Sequence, residues 1–417
     1  MEVFEQLESR IRGYCRTWPA VFDRAKGARQ IDENGKEYID FFAGAGVLNF
    51  GHNDDRMKAA LLRYLESDGV THSLDMATTA KRTFLQTFHD VVLKPRGLDY
   101  RMQFTGPTGS NAVEAALKLA RKVTGRRTVV AFTNGFHGMT LGSLACTGNA
   151  KYRDAAGVPL EHVVRAPFDG YLGEDVDTLE ELRRMLADPS SGVAPPAAFV
   201  VETIQAEGGV NVARTAWLKG LAELAKAHGA LLIVDDIQVG VGRTGSYFSF
   251  DGMGIEPDIV CLAKGIGGYG LPLAVCLVKP EHDQWSPGEH TGTFRGQDLA
   301  FVAGTVALSY FADDALCDAV KRKGAKTHGR LDALVESLGR PEVDLRGRGM
   351  IHGLDLGSGA WATAATKAAF ERQLIISPCG PSGRVMKVIA PLNIPDADLD
   401  AGLDRLCEAV QATKGAA

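Results

Sequence analysis

The seven cysteines of this 417-residue sequence include no C-x-x-C pair and lie far apart along the chain. This spacing argues against a disulfide framework and against zinc motifs, so we expect reduced thiols, a cytoplasmic protein and no metal site. No run of 18 apolar residues occurs that could span a membrane, and the charged start, MEVFEQLESRIRGYC, does not fit a signal peptide. Basic residues do not exceed acidic ones, 46 against 51, so neither a nucleic acid nor a membrane is an expected partner.

The length of the chain is sufficient for one large and one smaller domain. Its middle alternates short apolar runs with helix-length segments such as Thr215–His228. Continuous apolar runs are typical of parallel strands buried on both faces, and helices between them imply right-handed crossovers. We therefore predict an α/β fold whose large domain is doubly wound and mostly parallel. The predicted strands are Thr128–Phe132, Ala198–Thr203, Leu231–Asp235, Ile259–Leu262 and Leu273–Val278.

The pattern changes near Leu299, where long helices follow with one further short strand, Val385–Ile389. We expect this tail and the first residues to form a smaller α+β domain built from both termini. The predicted division is residues 1–45 and 311–417 for the small domain and residues 46–310 for the large one. Since no repeat or low-complexity linker separates them, we expect the two parts to pack tightly.

A G-x-G-x-x-G match at Gly240–Gly245 follows an apolar strand and could suggest a dinucleotide site. That site requires the glycines in the turn directly after the strand, at the start of a helix. Here Asp235-Asp236-Ile237-Gln238 stand between the apolar part of the strand and the glycines. The sequence after the glycines, SYFSFDGMG, is aromatic and interrupted by glycine, which is not typical of a helix. The match therefore does not predict nucleotide binding.

Two segments after predicted strands have features of a ligand site. Thr108-Gly109-Ser110 opens a helix that runs to about Val123, and a helix N-terminus offers free N–H groups to a phosphate. Phe136 and His137 follow the strand TVVAF, where a flat ring could lie against a cofactor ring. Alone, the first is also an ordinary capped helix and the second an ordinary core aromatic.

Two charged residues at strand ends complete the constellation. Asp235 closes the apolar strand LLIVD, where a carboxylate is costly to bury without a cationic partner such as a protonated pyridine nitrogen. Gln238, three residues on, could donate to a ring oxygen. Lys264 follows DIVCLA and precedes Gly265, and a desolvated lysine there would be a nucleophile towards an aldehyde. A loop aspartate and a surface lysine are the ordinary alternatives.

Taken together, these residues lie in sequence that resembles class III, or ω-amino acid, aminotransferases. The stretch VDDIQVGVGRTGSYFSFDGMGIEPDIVCLAKGIGGYGLPLA resembles the central signature of that family, and TGSNAVEAALKLAR, GFHGMT, ETIQAEGG and GTFRGQDLAF resemble further segments of it. The resemblance implies the type I fold of pyridoxal-phosphate (PLP) transferases, with PLP held as a Schiff base on Lys264 and its ring nitrogen paired with Asp235. The cofactor contacts that it implies are Thr108, Gly109, Ser110, Phe136, His137, Gln238 and, from a neighbouring subunit, Thr293. It thereby implies a homodimer or a dimer of dimers.

Within the family, the segments GPTGSNAVEAALKLARKVTGR and GEHTGTFRG are similar to the diaminobutyrate–2-oxoglutarate transaminases. This branch implies small-molecule substrates: glutamate as amino donor and L-aspartate 4-semialdehyde as acceptor, with L-2,4-diaminobutyrate formed, notably for ectoine biosynthesis. Glu207 matches a glutamate that the family uses in switching between donor and acceptor. Arg295 and Lys387 are candidate partners for a substrate carboxylate, although many family members have an arginine at the position of Lys387.

Three alternatives remain open from the sequence. The chain could be another class III ω-aminotransferase of secondary metabolism, or a PLP-dependent racemase or aminomutase on the same fold. Both would use Lys264 and Asp235. It could also be a PLP-binding regulator, although such regulators carry a DNA-binding domain in front and only 31 residues precede Asp32 here.

Overall fold

A computed structural model describes residues 2–416, and their helices and strands alternate along most of the chain. The strands are β1 (Phe22–Lys26), β2 (Arg29–Asp32), β3 (Glu37–Asp40), β4 (Arg101–Phe104), β5 (Val129–Phe132), β6 (Val163–Ala166), β7 (Ala198–Val201), β8 (Ile204–Gln205), β9 (Asn211–Val212), β10 (Leu231–Asp235), β11 (Ile259–Leu262), β12 (Val275–Val278), β13 (Asp344–Arg348), β14 (Ile351–Asp355), β15 (Leu374–Ile375), β16 (Ser377–Cys379) and β17 (Val385–Val388). The helices are α1 (Glu2–Leu7), α2 (Tyr14–Thr17), α3 (Ala43–Gly46), α4 (Asp55–Glu66), α5 (Thr79–Phe88), α6 (Gly109–Thr124), α7 (Leu141–Cys146), α8 (Ala150–Arg153), α9 (Thr178–Ala187), α10 (Thr215–Ala227), α11 (Asp298–Leu308), α12 (Ala315–Leu338), α13 (Gly359–Glu371) and α14 (Asp396–Ala412).

A seven-stranded sheet in the order β4-β12-β11-β10-β7-β5-β6 forms the centre of the described chain. β10 pairs in parallel with β7 and β11, and β5 with β6 and β7. β12 is antiparallel to both β11 and β4, which corrects the expectation for Leu273–Val278. The reversal follows because residues 263–274 form only a 3₁₀ turn and no crossover helix.

Helices cover both faces of this sheet. On one face, α6 buries Val113, Leu117 and Ala120 in a cluster with residues of β5, β7, β10 and β11. On the other face, the apolar side of α10 packs with residues such as Phe132 and Val234. Every residue of β5, β7, β10, β11 and β12 is buried. The doubly wound α/β fold is thus confirmed.

The carboxyl ends of six strands of the sheet lie at one edge. β5, β6, β7, β10 and β11 are mutually parallel, and β4 has the same direction because β12 is antiparallel to both β4 and β11. Residues that follow these strands are therefore brought together, and this edge is where open α/β sheets bind ligands.

The C-terminal third contains more strands than the sequence indicated. We expected one strand after Leu299, but β13, β14, β17 and β16 form an antiparallel sheet and β15 adds two further residues. The expectation was wrong because these strands are short and partly polar, as in DLRGR of β13, and pairing rather than periodicity defines them. β15 also pairs in parallel with β3, which joins the two ends of the chain. The domain boundaries themselves stay a prediction.

The G-x-G-x-x-G match has a packing role. Arg243, fully buried, donates to the carbonyls of Met350 and Ala390 and to Asn49 Oδ1. A Cβ on Gly242, whose φ is +88°, would lie 2.8 Å from Phe311. The glycines therefore allow close packing around a buried arginine.

No single helix within residues 2–416 has the length and apolar character to cross a membrane. The stretches Asp298–Phe311 and Ala315–Leu338 would satisfy those requirements only as a pair, and they meet at 74°.

Candidate active site

Lys264 lies directly beyond β11, in a backbone conformation that is strained for a lysine. Its φ is +53°, in the left-handed region, which costs a non-glycine residue about 1–2 kcal/mol. The glycines around it are needed: a Cβ on Gly265 would lie 2.6 Å from Asn49, and one on Gly268 would lie 2.8 Å from the carbonyl of Ala303. The loop thus holds the lysine where an unstrained backbone would not place it.

The Lys264 ammonium is desolvated. Burial lowers its pKa to about 8, although Glu207 opposes the shift, and the charges of Lys387, Asp235 and Glu202 also act on it. Within the described residues, Lys264 makes no side-chain hydrogen bond or salt bridge of its own. A lysine in this state has a substantial neutral fraction near physiological pH and can act as a nucleophile or a base.

Asp235 and His137 form a buried pair beside the lysine. Asp235 is 4% exposed and His137 is 3% exposed. Nδ1 of His137 lies 2.8 Å from Oδ2 of Asp235, while Oδ1 of Asp235 accepts from the N–H of Ile237 at 3.2 Å. Burial alone would lower the pKa of His137, but Asp235 raises it overall. The carboxylate therefore has a fixed orientation and a lone pair left for a further cationic group.

The N-terminus of α6, which follows β4, lies close to this pair. Thr108 caps the helix through a capping box with Asn111, and the first N–H groups of the helix have no intrahelical acceptor. A Cβ on Gly109 would lie 2.9 Å from Ile237, and one on Gly138 would lie 2.1 Å from Oγ of Ser110. Because both positions are glycine, the N-terminus of α6, the Phe136–Gly138 loop and Ile237, two residues after Asp235, can approach one another closely.

Lys387, Glu207 and Gln238 form a second polar cluster. The Lys387 ammonium, 2% exposed, donates to Oε1 of Glu207 and, at 3.0 Å, to Oε1 of Gln238. Burial would raise the pKa of Glu207, but the charges of Lys387 and Lys264 and hydrogen bonds from Lys387 and Gln238 together outweigh burial and lower that pKa to about 2. The pair is therefore ionised at neutral pH, and a substrate carboxylate can compete with Glu207 for Lys387.

Gln238 is held in place by a left-handed turn. Its Nε2 donates to the carbonyl of Ala45 at 2.8 Å. α3, in which Ala45 lies, has φ values between +48° and +86° from Ala43 to Gly46 and so is a single left-handed turn. A hydrogen bond from the Gln238 side chain also helps to lower the pKa of Glu207, and the contact of Gln238 with a ring oxygen stays a prediction.

A family model now agrees with this geometry. The model described as aminotransferase class-III matches residues 13–410, nearly the whole chain. This chain belongs to the class-III aminotransferase family. The resemblance drawn from the motifs is thereby confirmed.

Two relatives and one solved structure are similar to this aminotransferase over nearly its whole length. A diaminobutyrate–2-oxoglutarate transaminase of Halalkalibacterium halodurans is 54% identical over 99% of this chain and 96% of the relative. One of Nocardia farcinica is 55% identical over 98% and 93%. The structure of ornithine aminotransferase from Toxoplasma gondii, described with partial occupancy of PLP at its active site, has a TM-score of 0.86 at 29% identity, over 99% of this chain and 94% of that one.

Two residues expected at the site have their contacts elsewhere in this chain. Thr293 is exposed, and its carbonyl accepts from Nε2 of His72 at 3.0 Å. Arg295 pairs with Asp75 at 2.6 Å, and its charge is not among those that act on Lys264. Of the two candidate carboxylate partners, the structure thus brings Lys387, and not Arg295, to the lysine of the same chain.

The aminotransferase site also contains residues that sequence reasoning did not assign. Tyr14 and Tyr152 lie near the Glu207–Lys387 pair, since burial raises the pKa of each tyrosine and the charge of Glu207 raises it further. Tyr152 also contacts Phe136 edge to face, with ring centroids 5.9 Å apart. Only the tertiary contacts could identify them, because neither tyrosine belongs to a local motif that predicts a ligand.

Proposed function

We propose that this aminotransferase uses PLP to exchange an amino group between glutamate and L-aspartate 4-semialdehyde, forming 2-oxoglutarate and L-2,4-diaminobutyrate. The observation that carries the reaction class is the desolvated, unpaired Lys264 beside the Asp235–His137 pair. The diaminobutyrate–2-oxoglutarate transaminases at 54% and 55% identity support the substrate pair.

The residues at the strand edge fit PLP. Asp235 has a lone pair available for a protonated ring nitrogen, the free N–H groups of α6 suit a phosphate, and Phe136 supplies a ring for stacking. Lys264 is the amine that would hold the cofactor covalently. When bound, PLP supplies an electron sink for the negative charge that forms on the carbon bearing the amine.

The chain's own groups then perform the acid–base work. We assign to Nζ of Lys264 the removal of the proton from the amine-bearing carbon of the substrate, since its pKa of about 8 suits a base near neutral pH. His137 keeps the Asp235 carboxylate oriented throughout.

Lys387 and Glu207 account for the use of two different substrates in one pocket. A second carboxylate of the donor would displace Glu207 and pair with Lys387, and Glu207 would return when the semialdehyde binds. The side chain of Lys387, on β17, is buried, whereas that of Glu207 is 30% exposed, so Glu207 is the partner with room to move.

We infer that the working unit is a homodimer or a dimer of dimers, and that the reaction serves ectoine biosynthesis in the cytoplasm. The exposed Thr293, whose carbonyl accepts from His72 in its own chain, supports a site completed by a second copy. The free state of all seven cysteines supports a reducing compartment.

The test is a transamination assay with glutamate and L-aspartate 4-semialdehyde, in which mass spectrometry follows diaminobutyrate and 2-oxoglutarate. We expect equal amounts of both products from the PLP-loaded protein and none from the folded Lys264→Ala variant. Turnover of an amino acid without any 2-oxo acid or aldehyde acceptor would instead indicate a racemase or an aminomutase.

A further inference from the structure

Glu202 is a buried carboxylate without a cationic partner. It follows β7 at the edge of the sheet where the site lies, and it is 6% exposed. Among residues 2–416, no Lys, Arg or His nitrogen lies within salt-bridge distance of it. Burying a carboxylate in this way is unfavourable unless hydrogen bonds satisfy it, so the position calls for a specific reason.

The two oxygens of Glu202 accept from two different loops. Oε1 accepts from the backbone N–H of Phe136 at 2.9 Å, and Oε2 accepts from the backbone N–H of Ala206 at 3.3 Å. Phe136 is the aromatic residue of the proposed cofactor contact. Ala206 directly precedes Glu207, the partner of Lys387. The Glu202 side chain thus connects the loop of the proposed cofactor contact with the loop that precedes Glu207.

We infer that Glu202 is a positioning residue that sets the backbone of Phe136 and the backbone of Ala206 relative to each other. It acts through these two N–H groups and touches neither substrate nor the Lys264 amine. Glutamine cannot replace it fully, because a carboxyl group presents two oxygens in this geometry and an amide only one.

The electrostatic surroundings are consistent with this role. Burial raises the pKa of Glu202 to about 7, the charge of His137 lowers it, and the charge of Asp235 raises it. Lys264 also lies within the field of this carboxylate. An acid retained in so unfavourable an environment performs a task that an apolar residue could not.

The inference deepens the proposed function, and its kinetic consequences rest on that function. Its structural consequence does not, because hydrogen exchange of the cofactor-free protein reports the two N–H groups directly. Failure of the exchange experiment would therefore refute the positioning role, whereas failure of the transamination assay would refute the reaction.

Exchange at residues 134–138 and 204–208 would be measured by mass spectrometry for the wild type, Glu202→Ala and Glu202→Gln. Glu202→Ala should speed exchange of both amides by about tenfold or more, as expected for losing a hydrogen bond to a charged acceptor. Glu202→Gln should speed mainly Ala206, because the single remaining oxygen favours the shorter bond to Phe136 and leaves an N–H facing an N–H.

Asp32→Ala is the matched control. Asp32 is equally buried, at 6% exposed, and its Oδ1 accepts from the N–H groups of Asn34 and Lys36 in the turn between β2 and β3. This variant should speed exchange in that turn and leave both site segments unchanged.

The kinetic readout separates positioning from stability. In the PLP-loaded enzyme, Glu202→Ala should both weaken the affinity for PLP and raise the KM for glutamate. Phe136→Leu should affect mainly the affinity for PLP, and Glu207→Gln mainly the KM for glutamate. Unchanged exchange at both segments in Glu202→Ala would overturn the inference. So would a loss of protection spread evenly over the whole chain.

Discussion

At the scale of single residues, Lys264 combines a left-handed φ of +53° with a desolvated ammonium. Both features oppose folding, and both persist because the loop around Gly265 and the packing beneath it determine them. A site built in this way is reactive at the expense of stability, and the two can be measured separately.

Capture of the cofactor should depend on the neutral form of Lys264. Since burial lowers its pKa to about 8, the rate at which PLP attaches to the cofactor-free protein should rise with pH and reach half its maximum near that value. Stopped-flow absorbance between pH 6.5 and 10 would measure this rate. A half-maximum near the ordinary lysine value of about 10.4 would contradict the desolvated state.

Removal of the buried amine should stabilise the cofactor-free protein. A lysine whose folded pKa is lower than its unfolded pKa reduces stability as the pH falls through 10.5 towards 8, and the deficit remains below that range. Lys264→Met should therefore raise the free energy of unfolding at pH 7 by about 1–3 kcal/mol. Urea denaturation would measure it, and an equal gain at pH 11 would show that the charge is not the cause.

Breaking the buried Lys387–Glu207 ion pair should lower the free energy of unfolding. Lys387→Met leaves the Glu207 carboxylate without its cation, so the free energy of unfolding at pH 7 should fall by about 3–5 kcal/mol. The double variant with Glu207→Gln should recover most of that loss, whereas its KM for glutamate should stay high. Additive losses in the double variant would mean that the two residues are not coupled.

At the scale of elements, α6 is the clearest case in which sequence predicted both structure and position. The sequence predicted a helix that begins at Thr108-Gly109-Ser110 and runs to about Val123, and the structure has Gly109–Thr124 with Gly125 in the left-handed conformation. The strands β10 and β11 match their predicted bounds as well, because continuous apolar runs seldom have another explanation.

The cap of α6 should matter for stability and for anion binding together. Thr108→Ala removes the side-chain acceptor for the N–H of Asn111 and should cost about 1 kcal/mol. It should also weaken binding of inorganic phosphate to the cofactor-free protein, because the helix end frays. Thr108→Ser, which keeps the hydroxyl, is the matched control. Calorimetry would measure phosphate binding, and binding like that of the wild type in both variants would contradict the site.

At the scale of the whole molecule, the exposed face around Thr293 is unexplained by a single chain. Phe294 is 59% exposed and Met76 is 59% exposed, with Leu74 at 42%. Apolar side chains grouped with an exposed residue of the proposed cofactor site are what an interface between two copies would contain.

Mixed dimers would test the shared site directly. In a hybrid of Lys264→Ala and Thr293→Ala chains, one site has an intact lysine from one copy and an intact threonine from the other. If Thr293 acts across the interface, equal mixing should restore about a quarter of wild-type turnover, since half the dimers are hybrids with one intact site. Mixtures with no more turnover than the separate variants would mean that Thr293 serves its own chain.

The sequence by itself determined the class of fold, the family and the residues that follow the central strands, because each depends on local patterns: apolar runs, glycine turns and capped helices. Only the tertiary structure decided that β12 reverses direction, that Lys387 rather than Arg295 joins the lysine of the same chain, and that Glu202 links two loops. These depend on contacts such as Lys387–Glu207, whose partners are 180 positions apart in the chain. Strand register and packing create such contacts, and no local pattern encodes them.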